Sequence, residues 1–139
     1  MKVVLDTNIL LVSISPRSDY HWVFQKFIAE EYVLCVTTDI LQEYEEIISN
    51  HMGEDVANTV LQIIENSINV KLITKYFRWN LINIDPDDNK FVDCAISSNA
   101  KYNVTNDKHF NVLKNVDFPR VEVIDIEYFK EAIKKKNSD

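Results

Sequence analysis

Four acidic residues in this 139-residue sequence stand where a carboxylate is hard to explain as an ordinary solvated side chain. Asp6 closes the strand-like part of the apolar run "VVLDTNILL", Glu43 lies among Ile40, Tyr44 and Ile47, Asp88 precedes Phe91, Val92 and Ala95, and Asp107 ends "YNVTND". At about 100° per residue, Glu43 falls on the border of an apolar helical face. The same projection carries Asp88 along the inner face of its helix and throws Asp93 outward, so Asp88 is preferred as a ligand and Asp93 and Asp87 are second choices. Carboxylates gathered in one place repel one another and repel phosphate, so the set makes sense only with cations between them. Oxygen donors with no Cys or His partner suit Mg²⁺ or Mn²⁺, which bind one or two carboxylates and complete their shells with water and substrate phosphate. The chemistry that follows is metal-assisted phosphodiester hydrolysis, with one ion activating water and polarising the phosphoryl oxygen and a second, if present, stabilising the leaving oxygen. Thr7, Asn8, Thr105 and Asn106 flank Asp6 and Asp107 and are expected to orient ligands or water from behind. His109, beside Asp107, is a weaker candidate for substrate contact.

The elements that must hold these acids follow from periodicity. Val3 to Leu5 read as a short buried strand, and Val23, Phe24, Phe27 and Ile28 have helical spacing with Ser18 or Asp19 as the cap. Tyr32 to Val36 form the next strand. Thr37, Thr38 and Asp39 then offer caps for a helix whose apolar face is Ile40, Tyr44, Ile47 and Ile48. After Gly53, the residues Val56, Val60, Ile63 and Ile64 continue as a helix, and "VKLIT" reads as a third strand. "DPDD", Asp85 to Asp88, is turn chemistry capping a helix that uses Phe91, Val92, Ala95 and Ile96. "YNVTND" is expected to be a strand ending at Asp107, "VEVIDI" another, and Tyr128 to Lys136 a terminal helix. Strands alternating with helices predict one α/β domain over residues 1–139 with a largely parallel sheet. In such a sheet ligands bind outside the carboxyl ends of the strands, and all four acids fall on that edge.

Composition narrows the function further. A 46% hydrophobic content suffices for one core, while a net charge of -7 excludes a protein that grips nucleic acid by a bulk positive field. The visible basic cluster, Lys134 to Lys136, sits where it complements the dipole of the last helix. Gly53 is the only glycine, which excludes phosphate loops and dinucleotide fingerprints. Cys35 and Cys94 are far apart and outside any C-x-x-C pattern, so a disulfide framework or thiolate zinc site is not indicated, and a reducing, cytoplasmic setting fits. The N-terminal apolar run is too short to span a bilayer, and Asp6 and Asn8 interrupt it.

Taken in order, "VVLDTNILL", the acid within "TTDILQEYEEI", "DPDDNKFVDCAISSNAKY" and "VTNDKHF" resemble the PIN-domain family from Lys2 to about Phe129. The similarity is greatest to its bacterial and archaeal toxin-like group from type II toxin-antitoxin pairs. The resemblance implies a three-layer α/β/α fold with a central, largely parallel sheet, and a Mg²⁺- or Mn²⁺-dependent endoribonuclease acting on RNA. It carries catalytic and metal-binding roles over to Asp6, Glu43, Asp88 and Asp107. Asp93 occupies a position often acidic in this group and able to share the metal, and Asn8 and Thr105 match supporting positions. An antitoxin protein and a homodimer with a shared groove are the implied partners, with no membrane. The alternative from another class is a non-catalytic PIN-like module that keeps the acidic pocket for binding a protein. A haloacid dehalogenase-type phosphotransferase fits less well, because its nucleophile motif wants an aspartate where Asn8 stands. A receiver-like domain needs its acceptor on a central strand, and "VKLIT" ends without one.

Overall fold

Short aliphatic strands without polar alternation are the pattern of a sheet covered on both faces. The computed structural model describes residues 1–74, 78–82 and 86–138 and contains such a sheet. Its strands are β1 (Lys2–Leu5), β2 (Val33–Val36), β3 (Val70–Leu72), β4 (Tyr102–Val104) and β5 (Val123–Ile124). They lie in the order β3-β2-β1-β4-β5, and every neighbouring pair is parallel. Register sets Val3 beside both Leu34 and Tyr102, and Leu5 beside Val104. The strand order therefore reverses at β1, which makes the gap beyond β1 and β4 the natural crevice of the fold.

The helices are α1 (Thr7–Ile14), α2 (His21–Ile28), α3 (Thr38–Met52), α4 (Glu54–Asn66), α5 (Asn89–Ser98) and α6 (Ile126–Ser138). By the right-handed rule for parallel crossovers α1 to α4, which pack on one another, fall on one face of the sheet, and α5, which packs on β1, β2 and β4, falls on the other, giving three layers. The core sits between them: Val3, Val4, Leu34, Cys35, Ile40, Tyr44, Phe91 and Val92 are all fully enclosed. A buried aromatic or aliphatic side chain of this size contributes about 1.5–3 kcal/mol, so Phe91→Ala would loosen α5 from the sheet.

Local chemistry sets the helix ends. Thr37 caps α3 by accepting the Ile40 N–H at 3.4 Å, and α3 ends on Gly53, whose φ of 93° is open to glycine and strained for other residues. Added bulk there would meet nothing within 4 Å, so the requirement lies in the backbone angle and not in space. Asn99 closes α5 in the left-handed conformation. At α2 the cap is Tyr20, one or two residues beyond the expected Ser18 or Asp19, and Ser18 Oγ accepts the Tyr20 N–H at 3.1 Å. Ile28, expected on the inner face of α2, is half exposed.

Several expectations are corrected. Helix α1 begins directly after Asp6 and was not legible, because "TNILLVSI" is apolar on most sides and shows no clear 3.6-residue contrast. Strand β4 stops at Val104, three residues before Asp107, and β5 keeps only two residues of "VEVIDI". Residues Lys108–Asn115 form 3₁₀ turns that bury Phe110 and Leu113. Asp85, the first residue of the "DPDD" turn, lies outside the described residues.

Candidate active site

Asp6 sits where β1 hands over to α1. Its main-chain carbonyl accepts the N–H of Ile9 at 3.0 Å, and its N–H donates to Val104 O at 3.0 Å, so strand, neighbouring strand and helix all fix it. Its carboxylate is almost fully buried, and Oδ2 accepts the Thr105 hydroxyl at 2.8 Å. That same Thr105 oxygen accepts the Asp107 N–H at 3.0 Å. One hydroxyl thus fastens two of the expected acids to each other. Burial raises the Asp6 carboxyl above its ordinary value of 3.8; the Thr105 hydroxyl and the Thr7 N–H pull the other way, while the charges of Asp107 and Glu43 add to the rise.

Glu43 reaches the same place from α3. Its neighbour Tyr44 anchors the helix to β1 by donating its hydroxyl to Leu5 O at 2.6 Å, one residue before Asp6. Glu43 Oε2 accepts the Thr7 hydroxyl, and Oε1 pairs with Lys90 Nζ of α5 at 2.6 Å. Burial pulls the Lys90 ammonium down, but hydrogen bonding and charge from Glu43, with Asp87 and Asp39 beyond it, outweigh burial and leave its pKa raised. Lys90 escaped the sequence reading. Its spacing to Asp87 was visible, but the pairing with Glu43 is tertiary and leaves no periodic trace.

The third and fourth acids meet around a histidine. Asp88 ends the short 3₁₀ turn Pro86–Asp88 and precedes α5, and its own side chain makes no capping hydrogen bond to that helix. Its Oδ2 lies 3.6 Å from His109 Nδ1, while Asp107 Oδ1 lies 3.4 Å from the same nitrogen and also accepts the His109 N–H at 2.9 Å. Among the described residues, Asp88, Asp107 and His109 offer ligand atoms within 4.8 Å of one another.

The remaining candidates are placed as follows. Asp93 is buried and not outward-facing as projected: its Oδ1 accepts the Trp79 N–H at 3.1 Å, tying α5 to the segment before it. Asp87 is exposed and 3.8 Å from Lys90. Thr7 and Thr105 touch the acids directly, whereas Asn8 is exposed and Asn106 Oδ1 accepts the Ile126 N–H at 3.2 Å, at the start of α6. Asn89, not singled out in the sequence, clamps both backbone groups of Ile82 at 2.9 and 2.8 Å and so holds the entry to α5.

These elements define a parallel α/β domain with an acid-lined crevice at its topological switch point. A family profile described as PIN domain matches residues 2–109, and the chain belongs to that family. Among solved structures it is similar to a chain of VapBC2 from Rickettsia felis bound to a promoter DNA fragment, with a TM-score of 0.63 and 18% identity over 90% of this chain and 98% of that one. It is also similar to Mycobacterium tuberculosis VapC20, a sarcin-ricin loop cleaving toxin, with a TM-score of 0.57 and 12% identity over 78% and 92% of the two chains. FitAcB from Neisseria gonorrhoeae gives a TM-score of 0.56 and 15% identity over 90% and 98%. No curated protein matches the sequence. Among the described residues no helix is long and apolar enough to cross a membrane.

Proposed function

We propose that this chain is a divalent-cation-dependent endoribonuclease and the toxin of a toxin-antitoxin pair, with an antitoxin protein and a second copy of itself as partners. The observation that carries the reading is the linkage of acids from four separate segments: Thr105 joins Asp6 to Asp107, His109 lies between Asp107 and Asp88, and Thr7 stands between Asp6 and Glu43. Family membership supports nuclease chemistry, and a solved relative that cleaves the sarcin-ricin loop supports RNA as substrate.

The donor set fits hard cations. Asp6, Glu43, Asp88 and Asp107 supply carboxylate oxygens, and the buried Asp6 gains most from a nearby positive charge because desolvation opposes its ionisation. When bound, Mg²⁺ or Mn²⁺ supplies Lewis-acid activation of water and neutralises the phosphate. The protein's own groups do the positioning. Thr105 holds one oxygen of Asp6, Thr7 and Lys90 hold the two oxygens of Glu43, and the Lys90 ammonium gives the edge a positive group in a chain of net charge -7. RNA is therefore recognised through local contacts at this edge and not through a global field.

The test is cleavage of a mixed RNA and single-stranded DNA panel in Mg²⁺, Mn²⁺ or EDTA. RNA cleavage that requires the ion and falls at least about 100-fold in Asp6→Asn is expected. Equal cleavage by Asp6→Asn, or cleavage that persists in EDTA, sinks the proposal.

A further inference from the structure

We infer that the cavity at the amino ends of β1 and β4 binds a nucleoside polyphosphate, with Lys101, Lys135 and Lys136 holding the phosphates and Tyr128 stacking on the base. The inference is independent of the nuclease reading, because it concerns the end of the sheet opposite the acids.

Position is the first argument. The cavity has a volume of about 530 Å³, within the range of about 300–1,000 Å³ common to small-molecule sites. Its walls come from Met1 ahead of β1, from Lys101 and Tyr102 where the chain enters β4, and from Tyr128, Glu131, Lys135 and Lys136 of α6. Asp6 stands at the other end of β1, whose four residues advance about 3.3 Å each, so roughly 13 Å of strand separate the two places.

Charge is the second argument. Three lysines and one acid line the cavity, in a chain whose net charge is -7. That acid, Glu131, pairs with Lys134 at 3.7 Å. Lys136 is steadied by donating to the Glu31 carbonyl at 2.6 Å, while the Glu31 carboxylate pairs with Lys26 at 3.1 Å. The Met1 amine is pushed below its ordinary value of 8.0 by burial first and then by the charges of Lys136 and Lys101. Such a shift marks cations crowded with too little counter-charge. Lysine ammonium groups bind phosphate as point charges and need no glycine-rich loop.

The aromatic side chains are the third. Tyr102 is almost fully buried and meets the Tyr128 ring at 6.2 Å and 73°, an edge-on packing that orients Tyr128, itself 54% exposed. Lys101 Nζ lies 5.5 Å from the centroid of the Tyr102 ring, so ammonium and aromatic groups stand together. An exposed ring beside ammonium groups suits a base joined to its phosphates, since every base has a face that stacks. An inorganic anion would use the lysines alone.

The experiment titrates the full chain calorimetrically in EDTA with ATP, and with inorganic tripolyphosphate as the probe that lacks a base. ATP is expected to bind more tightly than tripolyphosphate, with an affinity that falls as salt rises. The double variant Lys101→Gln, Lys135→Gln, at two exposed positions, should weaken ATP at least about tenfold through lost charge-assisted contacts. Tyr128→Ala should weaken ATP about fivefold or more and leave tripolyphosphate unchanged. Circular dichroism establishes that each variant is folded. No binding at millimolar ATP, equal binding of ATP and tripolyphosphate, or unchanged affinity in the folded lysine double variant overturns the inference. RNA cleavage has no part in the readout, so the nuclease reading stands or falls separately.

Discussion

The Lys90 ammonium and the Glu43 carboxylate meet at 2.6 Å, bridging α5 and α3 over the end of the sheet, with their side chains only 14% and 23% exposed. The pair already satisfies Glu43 with a protein cation. Lys90→Met keeps an unbranched side chain but removes the ammonium, which lies 5.6 Å from the Phe91 ring centroid, and leaves Glu43 without its counter-charge. A loss of about 1–2 kcal/mol is expected, between the values for exposed and buried pairs. Added Mn²⁺ should restore more stability to the variant than it gives the unmodified protein. Thermal unfolding with and without Mn²⁺ checks this, and equal stabilisation of both would show that Lys90 does not compete for Glu43.

Asp6 makes stability depend on pH with an unusual sign for a carboxylate. Its pKa in the folded chain is raised above 3.8, so between the unfolded and folded values the native state holds the proton more firmly. The contribution of this group is fully present below about pH 4 and is lost as pH rises through the folded value. In EDTA, Asp6→Asn should gain stability relative to the unmodified protein across that rise. Denaturant titrations of both proteins from acid to neutral pH measure the difference. A difference that stays flat with pH would contradict the assignment.

Thr105 should matter for folding as well as for the orientation of the acids. Thr105→Val removes the hydroxyl that donates to Asp6 and accepts from the Asp107 N–H, leaving a buried carboxylate oxygen and a part-buried N–H short of a partner at a cost of about 1–3 kcal/mol. Thr105→Ser keeps the hydroxyl and should restore both stability and any cleavage activity. If the serine variant behaves like the valine variant, the threonine methyl and not its hydroxyl is the important group.

What the sequence could and could not show follows from the range of each signal. The alternation of strands and helices was legible because Val3 to Leu5, the Ile40–Tyr44–Ile48 face and the Phe91–Val92–Ala95 face each carry their pattern within a few residues. Helix α1 was not, since Thr7, Asn8 and Ser13 are scattered around it and leave no polar face to mark its period. Asp93 shows the limit of helical projection: it was placed outward, yet a backbone N–H from Trp79 covers it, and such a cover comes from elsewhere in the chain. Lys90 and His109 were missed or underweighted for the same reason. Each gains its significance from a carboxylate that is adjacent only after folding, Glu43 for one and Asp88 for the other.

The acids of the crevice are drawn from the end of β1, the middle of α3, the entry to α5 and the turn after β4. No stretch of chain that stops short of Asp107 contains them all, and β4 must already lie beside β1 before Thr105 can reach Asp6. During synthesis the emerging polypeptide is therefore inert at this edge until most of its length is made. On the proposed reading, ion uptake by the crevice then serves as a natural reporter of completed folding, silent in truncated or misregistered chains.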